Sequence, residues 1–278
     1  MKNLVLRTVT GILFIVAVIG SLLLSDTVPA FFYMLFLLFT VVGSFELTRM
    51  AENIGLEPSM AFAVLLSASV FSIPIFLSFG IGVLMAAMLF IPLLFVVLLV
   101  TELFRNSKSA LANIAVSCVP MLWVGFPFCL VAIWLMLGEA KLALALFVII
   151  WLGDTLAYCA GRLFGKHKLF ERISPKKTIE GFVISMVLTT AIATSFYWIP
   201  FFQVDDFTTP WHWIAFALIV FIVGTLGDLV ESMFKRNCGV KDSGKMLPGH
   251  GGVLDRFDSA LLAIPVAFIY WVVVTSLF

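Results

Sequence analysis

Charge is scarce in this chain. Asp, Glu, Lys and Arg make up 12% of the 278 residues, about half of what a soluble globular domain carries. Histidine occurs three times and cysteine four times. Cys118, Cys129, Cys159 and Cys238 are scattered, with no Cys-x-x-Cys pair and no zinc spacing, which leaves them as small apolar side chains. No Gly-x-x-x-x-Gly-Lys-Ser/Thr run occurs, which excludes a Walker-type phosphate loop. Internal repeats, low-complexity tracts and soluble-domain linkers are also missing. Apolar residues are abundant instead: 62% of the chain, with a mean hydropathy of +1.16.

A helix needs roughly 20 apolar residues to cross the hydrocarbon core of a bilayer. Nine stretches qualify as candidate spans: 9–25, 29–46, 60–79, 81–101, 112–136, 141–161, 181–201, 211–231 and 259–278. The fifth is the loosest, interrupted by Pro120 and Pro127. The long runs lack the two-residue alternation of a membrane barrel, so helices satisfy the backbone. The expected fold is all-α: a polytopic integral membrane helical bundle of about nine transmembrane helices. Lys2 and Arg7 precede the first apolar run in the manner of a signal peptide, but no small-x-small cleavage site follows, and the run reads as a retained span.

The distribution of Lys and Arg sets the orientation. Residues 162–180 carry Arg162, Lys166, Lys168, Arg172, Lys176 and Lys177; residues 232–258 carry Lys235, Arg236, Lys241, Lys245 and Arg256. With a cytoplasmic N-terminus both loops fall inside, while loop 202–210, with Asp205 and Asp206 only, falls outside. Residues 1–140 read as an N-terminal transmembrane scaffold. Residues 141–278 read as a C-terminal catalytic region that carries both basic loops.

An ionised Asp in a span costs about 2.5–3.5 kcal/mol on insertion scales, so each one needs a reason. Asp154 shares a helix face with Tyr158 and Gly161. Asp228, Glu231 and Ser232 are spaced i, i+3, i+4, with Lys235 one turn on. Asp255 and Asp258, themselves i, i+3, open the last span and can meet Asp228 across the loop. Carboxylates with no Cys or clustered His suit a hard cation, Mg²⁺ above all, and Mg²⁺ in such a site implies a phosphate ligand. The loops fit that: residues 173–181 offer Lys176, Lys177 and hydroxyls, with Thr178 also readable as a helix start. Gly249, Gly251 and Gly252 let backbone donors approach an anion. Polar chemistry gathered at one membrane surface points to an enzyme joining a soluble anionic substrate to a lipid.

Residues 232–258 resemble the signature of phosphatidate cytidylyltransferases, the CDP-diacylglycerol synthases. Every fixed position of that pattern is met: Ser232, Lys235, Arg236, Lys241, Asp242, Gly244, Pro248, His250, Gly251, Gly252, Asp255, Arg256 and Asp258. The resemblance implies CMP transfer from CTP to phosphatidic acid, giving CDP-diacylglycerol and pyrophosphate for phospholipid biosynthesis. It implies Mg²⁺, with a second cation such as K⁺ left open, and a homodimer in a bacterial plasma (inner) membrane with the active site facing the cytoplasm. No nucleic-acid partner is expected. Carried onto this chain, Asp228, Asp255, Lys235 and Arg256 are the catalytic group, and Asp228, Asp255, Asp258 and Glu231 the metal ligands. Ser174, Lys176, Lys177, Thr178, Ser232, Arg236, Lys241, His250, Gly251 and Gly252 bind substrate, with Asp154 in support. The rival readings are another CTP-using lipid enzyme, such as a polyprenol kinase, and an ion-coupled transporter. Against the transporter, the acids gather at one face and the halves show no pairing.

Overall fold

The computed structural model describes residues 2–246, 249 and 251–277. The chain is helical: α1 (Lys2–Leu23), α2 (Pro29–Glu52), α3 (Met60–Phe71), α4 (Ile73–Ser78), α5 (Ile81–Arg105), α6 (Ala110–Pro120), α7 (Phe126–Met136), α8 (Ala140–Phe164), α9 (Ile179–Thr194), α10 (Pro210–Asn237) and α11 (Leu254–Leu277). A two-stranded antiparallel hairpin, β1 (Lys168–Phe170) and β2 (Ser174–Thr178), lies between α8 and α9.

Seven helices among the described residues are long and apolar enough to cross a membrane, and Thr8–Leu23 and Met60–Phe71 are shorter apolar helices. The chain is thus an all-α polytopic membrane protein. One expectation changes. The stretch 60–79 is not one span: it divides at Ser72 into α3 and α4, where Pro74 brings a backbone with no N–H into the first turn of α4. The stretch 112–136 runs as one helical segment, joined through a π-helical turn at Met121–Gly125. That turn absorbs the two prolines the sequence flagged.

The chain forms two compact units. The first comprises Met1–Leu137 with Asn237–Phe257, and the second Gly138–Arg236 with Asp258–Phe278. Neither unit is continuous in sequence, because segment 237–257 is grouped with the front of the chain. The core of the first unit is aromatic. Phe257 is 1% exposed and lies 5.0 Å from the Phe128 ring and 5.1 Å from that of Phe39, while Phe36 meets Phe128 edge-on at 5.1 Å. Rings at these separations and tilts add to their area burial, and they fix the first turn of α11 against α2 and α7.

The second unit relies on small residues. A Cβ on Gly181 would lie 2.9 Å from the Ala157 carbonyl oxygen and 3.0 Å from Gly161 Cα, so α8 and α9 pack backbone to backbone. A Cβ on Gly227 would lie 2.6 Å from the Asp258 carbonyl oxygen, which draws α10 against the Asp258 end of α11. Helices in lipid gain little from burying apolar surface, so close packing at glycine carries their association.

Candidate functional site

In the second unit, a cavity of about 340 Å³ opens between α8, the hairpin, α9 and α10. Asp154 and Tyr158 line it from α8, as their shared helix face predicts. Ser174, Lys176, Lys177 and Thr178 line it from β2, and Asp228 from α10. Leu169, Phe182 and Phe221 supply an apolar wall. The cavity is therefore amphiphilic, with hydroxyls and both charge signs at one side and aromatic rings at the other.

The polar side is tied together by short contacts. Lys177 Nζ lies 2.5 Å from Asp228 Oδ2, each side chain about a quarter exposed. Ser232 donates to Asp228 Oδ1 at 3.2 Å, so the predicted i, i+4 pair on α10 forms. Lys235 donates to Glu231 Oε1 at 3.2 Å in a buried pair, with Glu231 fully buried. Asp258 lies within electrostatic reach of Asp228, Glu231, Asp154 and Lys235. Four carboxylates thus face Lys177 and Lys235, an excess of negative charge that runs from the exposed Asp154 to the buried Glu231. Thr178 also starts α9: its hydroxyl accepts from Gly181 N at 3.2 Å, the N-cap the sequence suggested. Glu180 accepts from the Lys166 amide at 2.9 Å and sits 2.6 Å from His167 Nδ1, which fastens the base of the hairpin.

The signature segment spans both units, and its ends are helical. Ser232, Lys235 and Arg236 belong to α10, and Asp255, Arg256 and Asp258 to α11, so the expected loop 232–258 narrows to 238–253. Within the first unit, Asp255 Oδ2 accepts from Ser243 N at 2.9 Å, Ser243 Oγ at 3.0 Å and Gly252 N at 2.8 Å. Gly252 therefore directs its amide to Asp255. Gly251 has φ 86°, a conformation glycine adopts without strain. Its Cβ, were one present, would lie 2.7 Å from Asp255 Oδ2. A second cavity, of about 1040 Å³, is lined by Arg49, Glu52, Lys241, Asp242 and Lys245. Arg236, Lys241 and Arg256 are exposed. His250, an expected substrate contact, lies outside the described residues.

Sequence reasoning missed Glu46. It sits in the second half of α2, 4% exposed, and accepts from Val253 N, Leu254 N and Ser243 Oγ at 3.0–3.1 Å. The signal was an acid inside an apolar run, the same insertion penalty that singled out Asp154. It was passed over because residues 1–140 read as scaffold.

The model of the cytidylyltransferase family matches residues 5–274. The chain belongs to that family. Three staphylococcal proteins named phosphatidate cytidylyltransferase align with this chain over 119 residues. That of Staphylococcus haemolyticus is 50% identical, and those of Staphylococcus saprophyticus and Staphylococcus aureus strain COL are 49% identical. Each alignment covers 43% of this chain and 44% of the relative, so less than half of each relative's length is matched.

Proposed function

We propose that this membrane cytidylyltransferase transfers CMP from CTP to phosphatidic acid, releasing pyrophosphate and forming CDP-diacylglycerol for phospholipid biosynthesis. The observation that carries this reading is the Lys177–Asp228 pair on the polar side of an amphiphilic cavity. A lysine, hydroxyls and acids face an aromatic wall there, which is the lining a phosphate headgroup with attached hydrocarbon requires. Family membership and the names of the relatives support the nucleotide and the lipid.

The chemistry needs little from a general base. The phosphate monoester of phosphatidic acid has its second pKa near ~6, so its oxygen is already an anionic nucleophile at neutral pH. A new bond forms between that oxygen and the α-phosphorus of CTP. The bond from the α-phosphorus to the bridging oxygen breaks, and pyrophosphate carries away the electron pair. The obstacle is repulsion between two anions, which cations and oriented donors relieve. In the second unit, Lys177 and Lys176 with Ser174, Thr178 and Ser232 bind phosphate, Asp154 supports them, and Lys235 offsets the local carboxylates. Arg236, Lys241 and Arg256 take further phosphate oxygens, as do His250 and the backbone of Gly251, while the Gly252 amide stays with Asp255.

The donor set fits Mg²⁺. It is all oxygen and in excess of the local cations, and among the described residues no group of three or more His, Cys, Asp or Glu is arranged to hold a metal by itself. Mg²⁺ habitually takes one or two carboxylates and completes its shell with substrate phosphates and water. Asp228 supplies a carboxylate in the second unit, with Asp258 and Glu231 behind it, and Asp255 supplies one in the first. Bound there, Mg²⁺ would screen phosphate charge and stabilise the leaving pyrophosphate. A second cation such as K⁺, a homodimer, and a bacterial plasma (inner) membrane with the site facing the cytoplasm belong to the same proposal.

The product separates this reading from its rival. Purified protein in detergent micelles should release pyrophosphate from CTP only when phosphatidic acid is added. Release of CDP with a polyprenol acceptor, and none of pyrophosphate, would replace it with a lipid kinase.

A further inference from the structure

Among the described residues, the buried Glu46 of the first unit reaches into the signature segment across about 200 positions of sequence. It accepts hydrogen bonds from the Val253 and Leu254 amides and the Ser243 hydroxyl. The two amides stand at the start of α11, where a helix leaves its first N–H groups without an internal acceptor. The loop is shaped around this carboxylate. A Cβ on Gly244 would collide with the Glu46 carboxylate, and one on Gly252 with Ser243 Oγ and the Glu46 oxygens, so a larger residue at either position would displace the carboxylate. Ser243 Oγ lies 3.0 Å from Glu46 Oε2 and 3.0 Å from Asp255 Oδ2. A hydroxyl carries one hydrogen, so Ser243 links the two acids and donates to one at a time.

We infer that Glu46 is a positioning residue for Asp255. By accepting from the first amides of α11 and from Ser243, it sets where that helix begins and how the Asp255 carboxylate is presented. The inference rests on the proposed reaction, in which Asp255 is a metal ligand. A carboxylate is required because both oxygens must accept; Gln would turn an NH₂ group toward donors. Partners one step removed from a metal ligand typically change metal affinity or activity by about 10–100-fold.

The test uses the full chain in detergent micelles with Glu46→Gln, read two ways. Hydrogen exchange without metal should quicken about tenfold at the amides of 243 and 252–254, as expected for losing a hydrogen bond to a charged acceptor, while α8 and α9 stay at the wild-type rate. In CMP transfer, the Mg²⁺ concentration giving half-maximal turnover should rise about tenfold, with excess Mg²⁺ restoring much of the rate. A merely structural role would lower the rate without moving that midpoint. Wild-type exchange together with a wild-type midpoint overturns the inference. If Glu46→Gln exchanges rapidly throughout, Ser243→Ala decides. It removes only the shared hydroxyl and should move the same amides and the midpoint in the same direction by roughly threefold, and no change in either overturns the inference. Wild-type protein that makes no labelled lipid defeats the proposed reaction instead, and leaves the exchange result to judge Glu46 on its own.

Discussion

Lys177→Met removes the cation closest to Asp228 while keeping most of the side-chain volume. At 2.5 Å the Coulomb attraction is about 7 kcal/mol at an effective dielectric of 20, before desolvation is counted. Both side chains are about a quarter exposed, so solvent screening brings the net value down toward the surface range of about 1 kcal/mol. The fold should therefore survive, with a loss of about 1–2 kcal/mol. Function should suffer more. If Lys177 turns from Asp228 to a substrate phosphate, its loss removes a charge-assisted hydrogen bond of about 1.5–3 kcal/mol, or about 10–150-fold in kcat/KM. It also leaves Asp228 among Asp154, Glu231 and Asp258 with less positive charge nearby. The assay is initial-rate CMP transfer with phosphatidic acid varied in mixed micelles, alongside thermal unfolding of the same preparation. Lys177→Arg should recover part of the rate, because the charge is kept and only the geometry changes. A folded Lys177→Met protein with kcat/KM within about twofold of wild type would remove Lys177 from phosphate binding.

Gly181→Ala should lower the thermal midpoint through a loss of about 1–3 kcal/mol, because its Cβ meets the Ala157 carbonyl and Gly161 Cα; an unchanged midpoint would mean that α8 and α9 do not pack as described. Glu139 lies between two candidate spans, and its carboxyl is pushed above the ordinary Glu value by burial and by Asp206 and Asp205 nearby. A raised folded-state value favours the protonated form, so stability is fullest below the unfolded value near 4.5 and falls as pH rises through the folded one. Glu139→Gln should thus raise the unfolding midpoint at pH 7 and have little effect at pH 4, and an equal effect at both would discard that cause.

Much of the second unit was legible because helical periodicity is local. Asp154 and Tyr158 reach one cavity, and Ser232 meets Asp228, from spacing alone. The cap at Thr178 could be read for the same reason. The hairpin was not legible: β2 carries Ser-Pro-Lys-Lys-Thr, too short and too polar for a strand signal, and its pairing with β1 is stabilised at its base by Glu180. The break at Ser72 had a local signal in Pro74, which the apolar residues on either side outweighed in the sequence reading. Glu46 shows the larger limit. An apolar run betrays a buried acid by its cost, but nothing local names partners some 200 residues away.

The most direct test follows the α-phosphate. CTP labelled at the α-position should be incubated with phosphatidic acid and the purified chain, with Mg²⁺, with EDTA, and with Asp255→Asn. Label passing into a chloroform-soluble lipid in the Mg²⁺ sample, and lost both with EDTA and with Asp255→Asn, is the predicted result. Label that stays in the aqueous phase with folded wild-type protein would contradict CMP transfer, and full turnover by Asp255→Asn at saturating Mg²⁺ would contradict the role given to its carboxylate.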